Sequence, residues 1–339
     1  MPLDTVTAVL RHWPLPPPER IEPLGNAGGF SGAALWRLTI GPAQFCLRQW
    51  PAGTSSDRVE AIARVLRHVA DNERPLSFVP IPLLSRESRP FVVHKQRAWT
   101  LSPWMPGAAV ARPTLPQLRN AMQALAWFHQ GVADFPDHPR QAAGSPPTLA
   151  ERRERLSHLD LAPITSAAIP PIWTALERHR EGVLAFFREF PSKQLLARFP
   201  TAEQTSVPLQ LCLRDIWSAH VLFTGETVTG LIDYDAMRVD SVALDLARLL
   251  GSYADDDEAL WEAGFAAYGE SPTGLTAAEQ RLVRHYDELA VILTPFQWLS
   301  WILLEQRDFE PAAVLPRLDA TLSRLEHLRY RLRMSELVL

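Results

Sequence analysis

The 339-residue sequence is 47% hydrophobic and 21% charged, a composition typical of a globular protein that excludes a disordered chain, and its length predicts two packed units. The formal net charge of -4 at pH 7 provides no basic surface, so we expect neither nucleic acid nor an anionic membrane as a partner. Because no apolar run reaches the ~18 residues of a membrane span and only two cysteines occur, Cys46 and Cys212, we expect a reduced, cytoplasmic setting.

The N-terminal third contains short apolar runs bounded by glycine and proline, which predict strands. Residues 21–50 give three strands, and a glycine-rich segment, 25–32, separates the first two. Residues 57–70 carry apolar residues at three- and four-residue spacing, which predicts a helix. Two more strands follow, at 90–94 and 99–104. This order predicts a small sheet with one helix laid on it.

Beyond residue 107 the pattern changes to helices, because apolar residues recur every three or four positions in segments 115–129, 172–190, 276–293 and 311–333. One β-rich stretch, Leu209–Met237, interrupts them. Strands first and helices after predict an α+β fold with two lobes. We place the lobe boundary near residues 104–107, which gives an N-terminal lobe, 1–104, and a C-terminal lobe, 105–339.

The β-rich stretch carries the strongest functional pattern. Val221–Phe223 and Val228–Ile232 flank a four-residue turn containing glycine, which predicts a hairpin. A regular hairpin pairs His220 with Leu231 and makes Asp233 a diagonal neighbour of His220. Asp215 lies five residues before His220, on the loop that leads into the hairpin. The three side chains are therefore expected to meet at its open end.

Phosphoryl transfer uses such a set of side chains. One carboxylate accepts the proton of the acceptor hydroxyl, and further ligands hold a divalent ion against the nucleotide phosphates. Protein kinases place an Asp, an Asn five residues later, and a second Asp after a hairpin. Asp215, His220 and Asp233 keep those spacings. Asp235 is either a further ligand or a solvated residue, and Asp245 is expected to brace a loop or a helix start.

The stretch Leu211–Tyr253 resembles the core of the aminoglycoside phosphotransferase and choline kinase families, which have a protein kinase-like fold. The resemblance lies in Gly-Leu-Ile-Asp-Tyr-Asp at 230–235 and Ala-Leu-Asp-Leu-Ala-Arg at 243–248, and the order of upstream features extends it over residues 20–305. It implies a small-molecule kinase with ATP or GTP as donor, Mg²⁺ as cofactor, and a small-molecule hydroxyl as acceptor. It also implies that lobe 1–104 clamps the nucleotide and that lobe 105–339 is the catalytic, substrate-binding lobe.

By position, the resemblance implies Asp215 as the catalytic base and Asp233 with His220 as metal ligands. The residues that it implies for nucleotide binding are Arg48 on the phosphates, Glu60 orienting Arg48, Gly28 and Gly29 over the phosphates, and Ser102 and Trp104 beside adenine. For Glu60 a capping box with Asp57 is the alternative interpretation.

Three residues depart from the family pattern: Leu213 replaces a His, Arg48 replaces the phosphate-pairing Lys, and His220 replaces the metal-binding Asn. Imidazole suits Mn²⁺, Fe²⁺ or Zn²⁺ better than Mg²⁺, so a softer ion is one hypothesis. Two other functions fit the same residues: a pseudokinase that binds nucleotide or a protein without transfer, and a metal-dependent hydrolase. The acceptor stays open among aminoglycosides, amines, amino acids and sugars.

Overall fold

The computed structural model of the protein describes residues 3–25, 32–71, 76–270 and 274–336. The chain divides into two compact units. Unit 1 contains Met1–Arg140, Asp215–Arg238 and Glu262–Gly274, and unit 2 contains Gln141–Arg214, Val239–Trp261 and Leu275–Leu339. The lobes 1–104 and 105–339, which we defined by their roles toward nucleotide and acceptor, stay a prediction. None of the helices in the described ranges is long and apolar enough to cross a membrane.

Unit 1 contains a five-stranded antiparallel sheet with the spatial order β1-β2-β3-β5-β4. In chain order its strands are β1 (Arg20–Gly25), β2 (Ala34–Ile40), β3 (Ala43–Gln49), β4 (Val92–His94) and β5 (Arg97–Pro103). Alternate residues of β2, Trp36 and Leu38, are buried in one core with Trp99 of β5 and with helix α1 (Leu3–Leu10). The predicted order of three strands, a helix and two strands is confirmed.

The helix between β3 and β4 is α2 (Ser56–Asp71). The apolar face that the sequence predicts is the buried one, formed by Val59, Ile62, Ala63, Leu66 and Val69. The Ser55 hydroxyl accepts a hydrogen bond of 3.2 Å from the backbone N–H of Arg58 and so caps the helix. Asp57 lies inside the first turn, and the capping box suggested for Asp57 and Glu60 is therefore wrong.

The predicted hairpin is present and consists of β9 (Val221–Thr224) and β10 (Thr227–Leu231), with the short β6 (Ala108–Ala109) beside β9. Its register differs by one residue from the regular hairpin, because a bulge lies between Val228 and Gly230. Leu231 pairs with Val221 rather than with His220. The backbone N–H of Ile232 then donates to the His220 carbonyl at 3.0 Å. The bulge thereby moves Asp233 closer to His220.

Unit 2 holds a three-stranded sheet with the order β11-β8-β7 and most of the helices. Its strands are β7 (Gln141–Gly144), β8 (Val207–Cys212) and β11 (Arg238–Asp240). The helices after α3 (Leu115–Gly131) are α4 (Pro147–Ser157), α5 (Ala162–Ser166), α6 (Leu176–Glu189), α7 (Ser192–Leu196), α8 (Val242–Ala254), α9 (Glu258–Gly269), α10 (Ala277–Leu299) and α11 (Pro311–Glu336). The α+β class is confirmed.

The four predicted long helices correspond to α3, α6, α10 and α11. Thr276 and Glu279 form a complete capping box at the start of α10, since each side chain accepts a hydrogen bond from the other's backbone N–H. Helix α6 begins later than predicted, because two turns precede it, closed by hydrogen bonds from Trp173 N–H to the Pro170 carbonyl and from Leu176 N–H to the Trp173 carbonyl.

Candidate active site

Arg48 is the charged residue around which the candidate site of unit 1 is arranged. It lies on β3, in register with Thr100 of β5, and its side chain is 18% exposed. Its guanidinium approaches the Asp233 carboxylate to 3.6 Å and forms a short hydrogen bond with the Asp235 carboxylate. The indole of Trp50 packs against the guanidinium, 4.7 Å from ring centroid to Cζ. The structure therefore brings Arg48 together with two carboxylates of the segment after β10.

Asp233 follows directly after the hairpin and adopts φ +67°, a left-handed conformation that Asp tolerates better than most residues. The next residue, Tyr234, is buried, and its hydroxyl donates to the Leu231 carbonyl at 2.9 Å. This anchor holds the turn from inside, while the Asp233 side chain stays 37% exposed. Strained backbone of this kind persists where the surrounding structure fixes it and is often found at functional sites.

His220 ends a 3₁₀ turn, Ser218–His220, and both of its ring nitrogens are engaged. Nδ1 lies 2.8 Å from the backbone carbonyl of Asp215, and Nε2 lies 3.0 Å from the indole Nε1 of Trp217. A carbonyl only accepts and an indole N–H only donates, so the neutral imidazole protonated at Nδ1 fits both contacts. The lone pair of Nε2 is then taken by Trp217, and the metal-ligand role predicted for His220 stays a prediction that this arrangement does not favour.

Asp215, the predicted base, is half-buried, and its backbone carbonyl is held by His220. The two residues before it, Leu213 and Arg214, donate their backbone N–H groups to the carboxylate of Asp245, each at 2.6 Å. Arg214 adopts φ +64°, a conformation that these bonds help to hold. Asp245 is fully buried, so its predicted loop-bracing role is confirmed. Leu213 is buried too, where the family pattern has a His.

The sequence left open whether Asp235 is a ligand or a solvated residue. In the structure its carboxylate lies in the candidate site. Its Oδ1 is buried and has no hydrogen-bond partner among the described residues. Burial raises the pKa of Asp235 to about 6 against the opposing effect of Arg48, and the negative charges of Asp233 and Asp215 raise it further. Arg58 of α2 donates to the Asp235 backbone carbonyl at 2.8 Å, which fixes this residue from the helix side.

The remaining predicted site residues lie in unit 1, and the contacts of three of them are defined. Glu60 contacts Arg89 at 3.4 Å, whereas the carboxylates that contact Arg48 are those of Asp233 and Asp235; the orienting role of Glu60 stays a prediction. Ser102 is paired with Cys46 across β5 and β3. Trp104 is covered on one face by Arg37, 4.6 Å away.

Gly28 and Gly29 lie outside the described residues. Their predicted position over the nucleotide phosphates, like the adenine contacts predicted for Ser102 and Trp104, stays a prediction. Two residues with contacts to the site, Arg58 and Trp217, were not predicted. Trp217 stands three residues before His220, a spacing that would bring the two side chains together only in a helical turn, and the sequence around it gives no helical pattern.

The donor set suits a hard divalent cation. Carboxylate oxygens are the ligands that Mg²⁺ prefers. The buried Oδ1 of Asp235, which has no hydrogen-bond partner in the described part of the chain, lies two residues from the partly exposed Asp233. Arg48 contacts the same two carboxylates, so a divalent ion bound there would share them with its guanidinium or displace it. The pair Asp233 and Asp235 fits such an ion better than the pair Asp233 and His220.

A model of the phosphotransferase enzyme family matches residues 23–282, which is more than half of the chain. The chain belongs to this phosphotransferase family. Homoserine kinase of Hyphomonas neptunium is 24% identical over 205 residues, which are 60% of this chain and 56% of that relative. The chain thus spans little more than half the length of this curated relative.

Two solved structures have the same fold as this member of the phosphotransferase family. An aminoglycoside phosphotransferase from Alicyclobacillus acidocaldarius superposes with a TM-score of 0.63 at 16% identity, over 100% of this chain and 97% of that chain. A spectinomycin phosphotransferase in complex with ADP and spectinomycin has a TM-score of 0.58 at 14% identity, over 96% of this chain and 93% of that chain. The fold predicted from the resemblance is confirmed.

Proposed function

We propose that the protein is a small-molecule kinase that transfers the γ-phosphoryl group of ATP or GTP to a hydroxyl group. The observation that carries this proposal is the convergence of Asp233 and Asp235 on Arg48 in unit 1, with Asp215 near enough for its charge to raise the pKa of Asp235. Family membership and the ADP complex of a structural neighbour support it. We also propose that the reaction takes place in the cytoplasm.

In the proposed reaction Asp215 is the catalytic base. Its carboxylate accepts the hydroxyl proton while the acceptor oxygen forms a bond to the γ-phosphorus and the bond between that phosphorus and the β,γ-bridging oxygen breaks, which leaves ADP or GDP. His220 positions Asp215, because its Nδ1–H holds the backbone carbonyl of that residue. The Asp245 brace on Leu213 and Arg214 fixes the chain just before the base.

Asp233 and Asp235 would hold the divalent ion, which, when bound, neutralises phosphate oxygens during transfer. Arg48 fits a double role: its guanidinium screens the two carboxylates in the absence of nucleotide, and it has the geometry to contact phosphate bidentately. Glu60, Gly28, Gly29, Ser102 and Trp104 complete the proposed nucleotide site. The relatives named for homoserine and aminoglycosides support a small hydroxyl compound as acceptor without selecting one.

The test is a calorimetric titration of ATP and GTP with Mg²⁺, Mn²⁺ or EDTA into the wild type, Asp233→Asn and the control Asp137→Asn. Asp137 is an exposed aspartate of unit 1 that pairs with Arg64. We expect metal-dependent nucleotide binding that Asp233→Asn abolishes and Asp137→Asn retains. Nucleotide binding without ADP release on any acceptor would favour a pseudokinase, metal binding without nucleotide binding a hydrolase, and no binding of either would contradict the proposal.

A further inference from the structure

Unit 2 contains a cavity of about 300 Å³ that the proposed chemistry has not used. Helix α4 supplies most of its wall with Thr148, Glu151, Arg152 and Arg155. These residues are spaced i, i+3, i+4 and i+7, so they share one face of the helix. Arg214, from the loop after β8, and Leu244, in the first turn of α8, complete the lining. Three arginines therefore face one small cavity against one glutamate.

The contacts within the cavity leave positive charge uncompensated. Arg214 is paired with Glu151 at 2.7 Å and lies 3.9 Å from the Asp240 carboxylate, whose oxygens accept hydrogen bonds from Thr148, Ser241 and Tyr286. Arg152 donates to the Tyr286 carbonyl at 2.7 Å, a neutral acceptor. Glu151 is thus paired with Arg214. Arg152 and Arg155 lack a carboxylate partner at hydrogen-bond distance in the described residues.

Arg155 is the arginine that a ligand would reach. It is exposed and forms no hydrogen bond with the described residues, and Glu305, the carboxylate whose charge acts on it, is itself bonded to Arg307 at 2.8 Å. Burial lowers the pKa of Arg152 to about 10, and the positive charge of Arg248 adds to that effect. Two adjacent guanidinium groups in a partly desolvated cavity are stabilised most by an anion that both can contact.

We propose that this cavity binds an anionic group of the acceptor, so that the kinase acts on hydroxyl compounds that carry a carboxylate or a phosphate. The inference rests on the proposed function, because it names the class of acceptor that the base receives. The link to the base is the chain itself: Arg214 lines the cavity and is the residue immediately before Asp215. A volume of about 300 Å³ suits a small polar compound.

The experiment compares matched acceptors that differ only in the anionic group. L-Homoserine and 3-amino-1-propanol share a hydroxyl and an amine and differ in the carboxylate; glycerol 3-phosphate and glycerol differ in the phosphate. Release of ADP is measured with saturating ATP and Mg²⁺ for the wild type, Arg155→Gln, Arg155→Lys and the control Arg188→Gln. Arg188 is an exposed arginine of α6 whose side chain donates to the Leu184 carbonyl at 3.2 Å.

We expect the anionic member of a pair to be preferred by at least about tenfold in kcat/KM. This factor corresponds to the lower end of the free energy that a hydrogen bond to a charged group contributes. Arg155→Gln should raise KM for that compound about ten- to hundredfold with little change in kcat, Arg155→Lys should restore part of the affinity, and Arg188→Gln should do neither. The responding pair identifies carboxylate or phosphate as the ligand group. Equal use of the neutral member, a change confined to KM for ATP, or an equal effect of Arg188→Gln would overturn the inference.

Calorimetry of the same compounds without nucleotide separates this inference from the proposed function. If no acceptor is phosphorylated but an anionic compound binds the wild type and binds Arg155→Gln at least tenfold more weakly, the cavity assignment stands and the kinase function is wrong. If neither anionic compound binds, the cavity assignment is wrong whether or not transfer occurs.

Discussion

In unit 1, Asp233 and Asp235 converge on Arg48, whereas the cavity of unit 2 sets Arg152 and Arg155 beside a glutamate that Arg214 already occupies. Within the described ranges, the first region keeps a carboxylate oxygen of Asp235 without a hydrogen-bond partner, and the second keeps the Arg155 guanidinium without one. Charge that the protein leaves unpaired is costly, and a ligand of the opposite sign offsets the cost. The comparison thus supports the proposed cation at the acidic region and the proposed anion at the basic one.

Asp240 and Asp245 are carboxylates whose hydrogen-bond partners are supplied by the protein itself. Both are fully buried, and their oxygens accept hydrogen bonds from backbone N–H groups, with Thr148 and Tyr286 hydroxyls added for Asp240. These two aspartates lie within thirteen residues of Asp233, in the same stretch of sequence. What distinguishes these structural aspartates from Asp235, a proposed metal ligand, is the saturation of their oxygens by the protein.

The largest expected effect separates the two regions. Asp215→Asn removes the proton acceptor while leaving the cavity arginines in place, so kcat should fall about 10³-fold. Binding of ATP with Mg²⁺ and of the anionic acceptor should each stay within about threefold of wild type, as measured by calorimetry, because neither depends on the proton acceptor. Asp137→Asn is the matched control for kcat. A residual rate within about tenfold of wild type would show that another group accepts the proton.

The second prediction concerns stability. It tests the aspartates whose oxygens accept hydrogen bonds from the protein. Asp245→Asn replaces one charged acceptor of two backbone N–H groups by an amide that can serve only one of them, so the free energy of unfolding should fall by about 2–3 kcal/mol. Urea unfolding measures it, with Asp308→Asn, an exposed residue, expected within about 0.5 kcal/mol of wild type. A loss below about 1 kcal/mol would mean that the bonds to Leu213 and Arg214 contribute little.

The smallest effect concerns His220 and the acidic region alone. His220→Ala removes the bonds to the Asp215 carbonyl and to Trp217, so kcat should fall about tenfold through misplacement of the base. Affinity for Mn²⁺, followed by the relaxation of bound water protons, should change less than about twofold, whereas Asp233→Asn should lose binding. Equal losses in both variants would restore His220 as a metal ligand.

The fold and the central aspartates could be predicted because the signals are local. Strand runs, helical spacing and the hairpin turn each depend on residues close in sequence, and the spacing from Asp215 to Asp233 follows from one hairpin. The hairpin register was wrong by one residue, because Gly230 inside a strand is compatible with a bulge but does not specify one. A bulge depends on how the strand packs, which the strand's own sequence does not contain.

Partners distant in sequence could not be predicted. Glu60 contacts Arg89, which lies in the segment between α2 and β4. The sequence of α2 does not indicate this partner. The Nε2 atom of His220 accepts from the indole of Trp217, and the cavity combines α4 with Arg214, about sixty residues later. Such pairs are decided when elements pack together, so the sequence provides the candidates and the tertiary structure selects among them.

The bulge in the hairpin also constrains how this protein can vary. Val221 opposes Leu231, so the side of the ladder on which Asp233 and Tyr234 emerge depends on the extra residue at position 229. Losing one residue between Gly230 and Asp233, beyond the bulge, would move these side chains by one position and exchange the buried phenol for a carboxylate. Gly230 is equally restricted, since a Cβ there would lie 2.9 Å from Met105 Cβ. Loops elsewhere can gain or lose residues over evolutionary time, whereas this segment is expected to keep a fixed length.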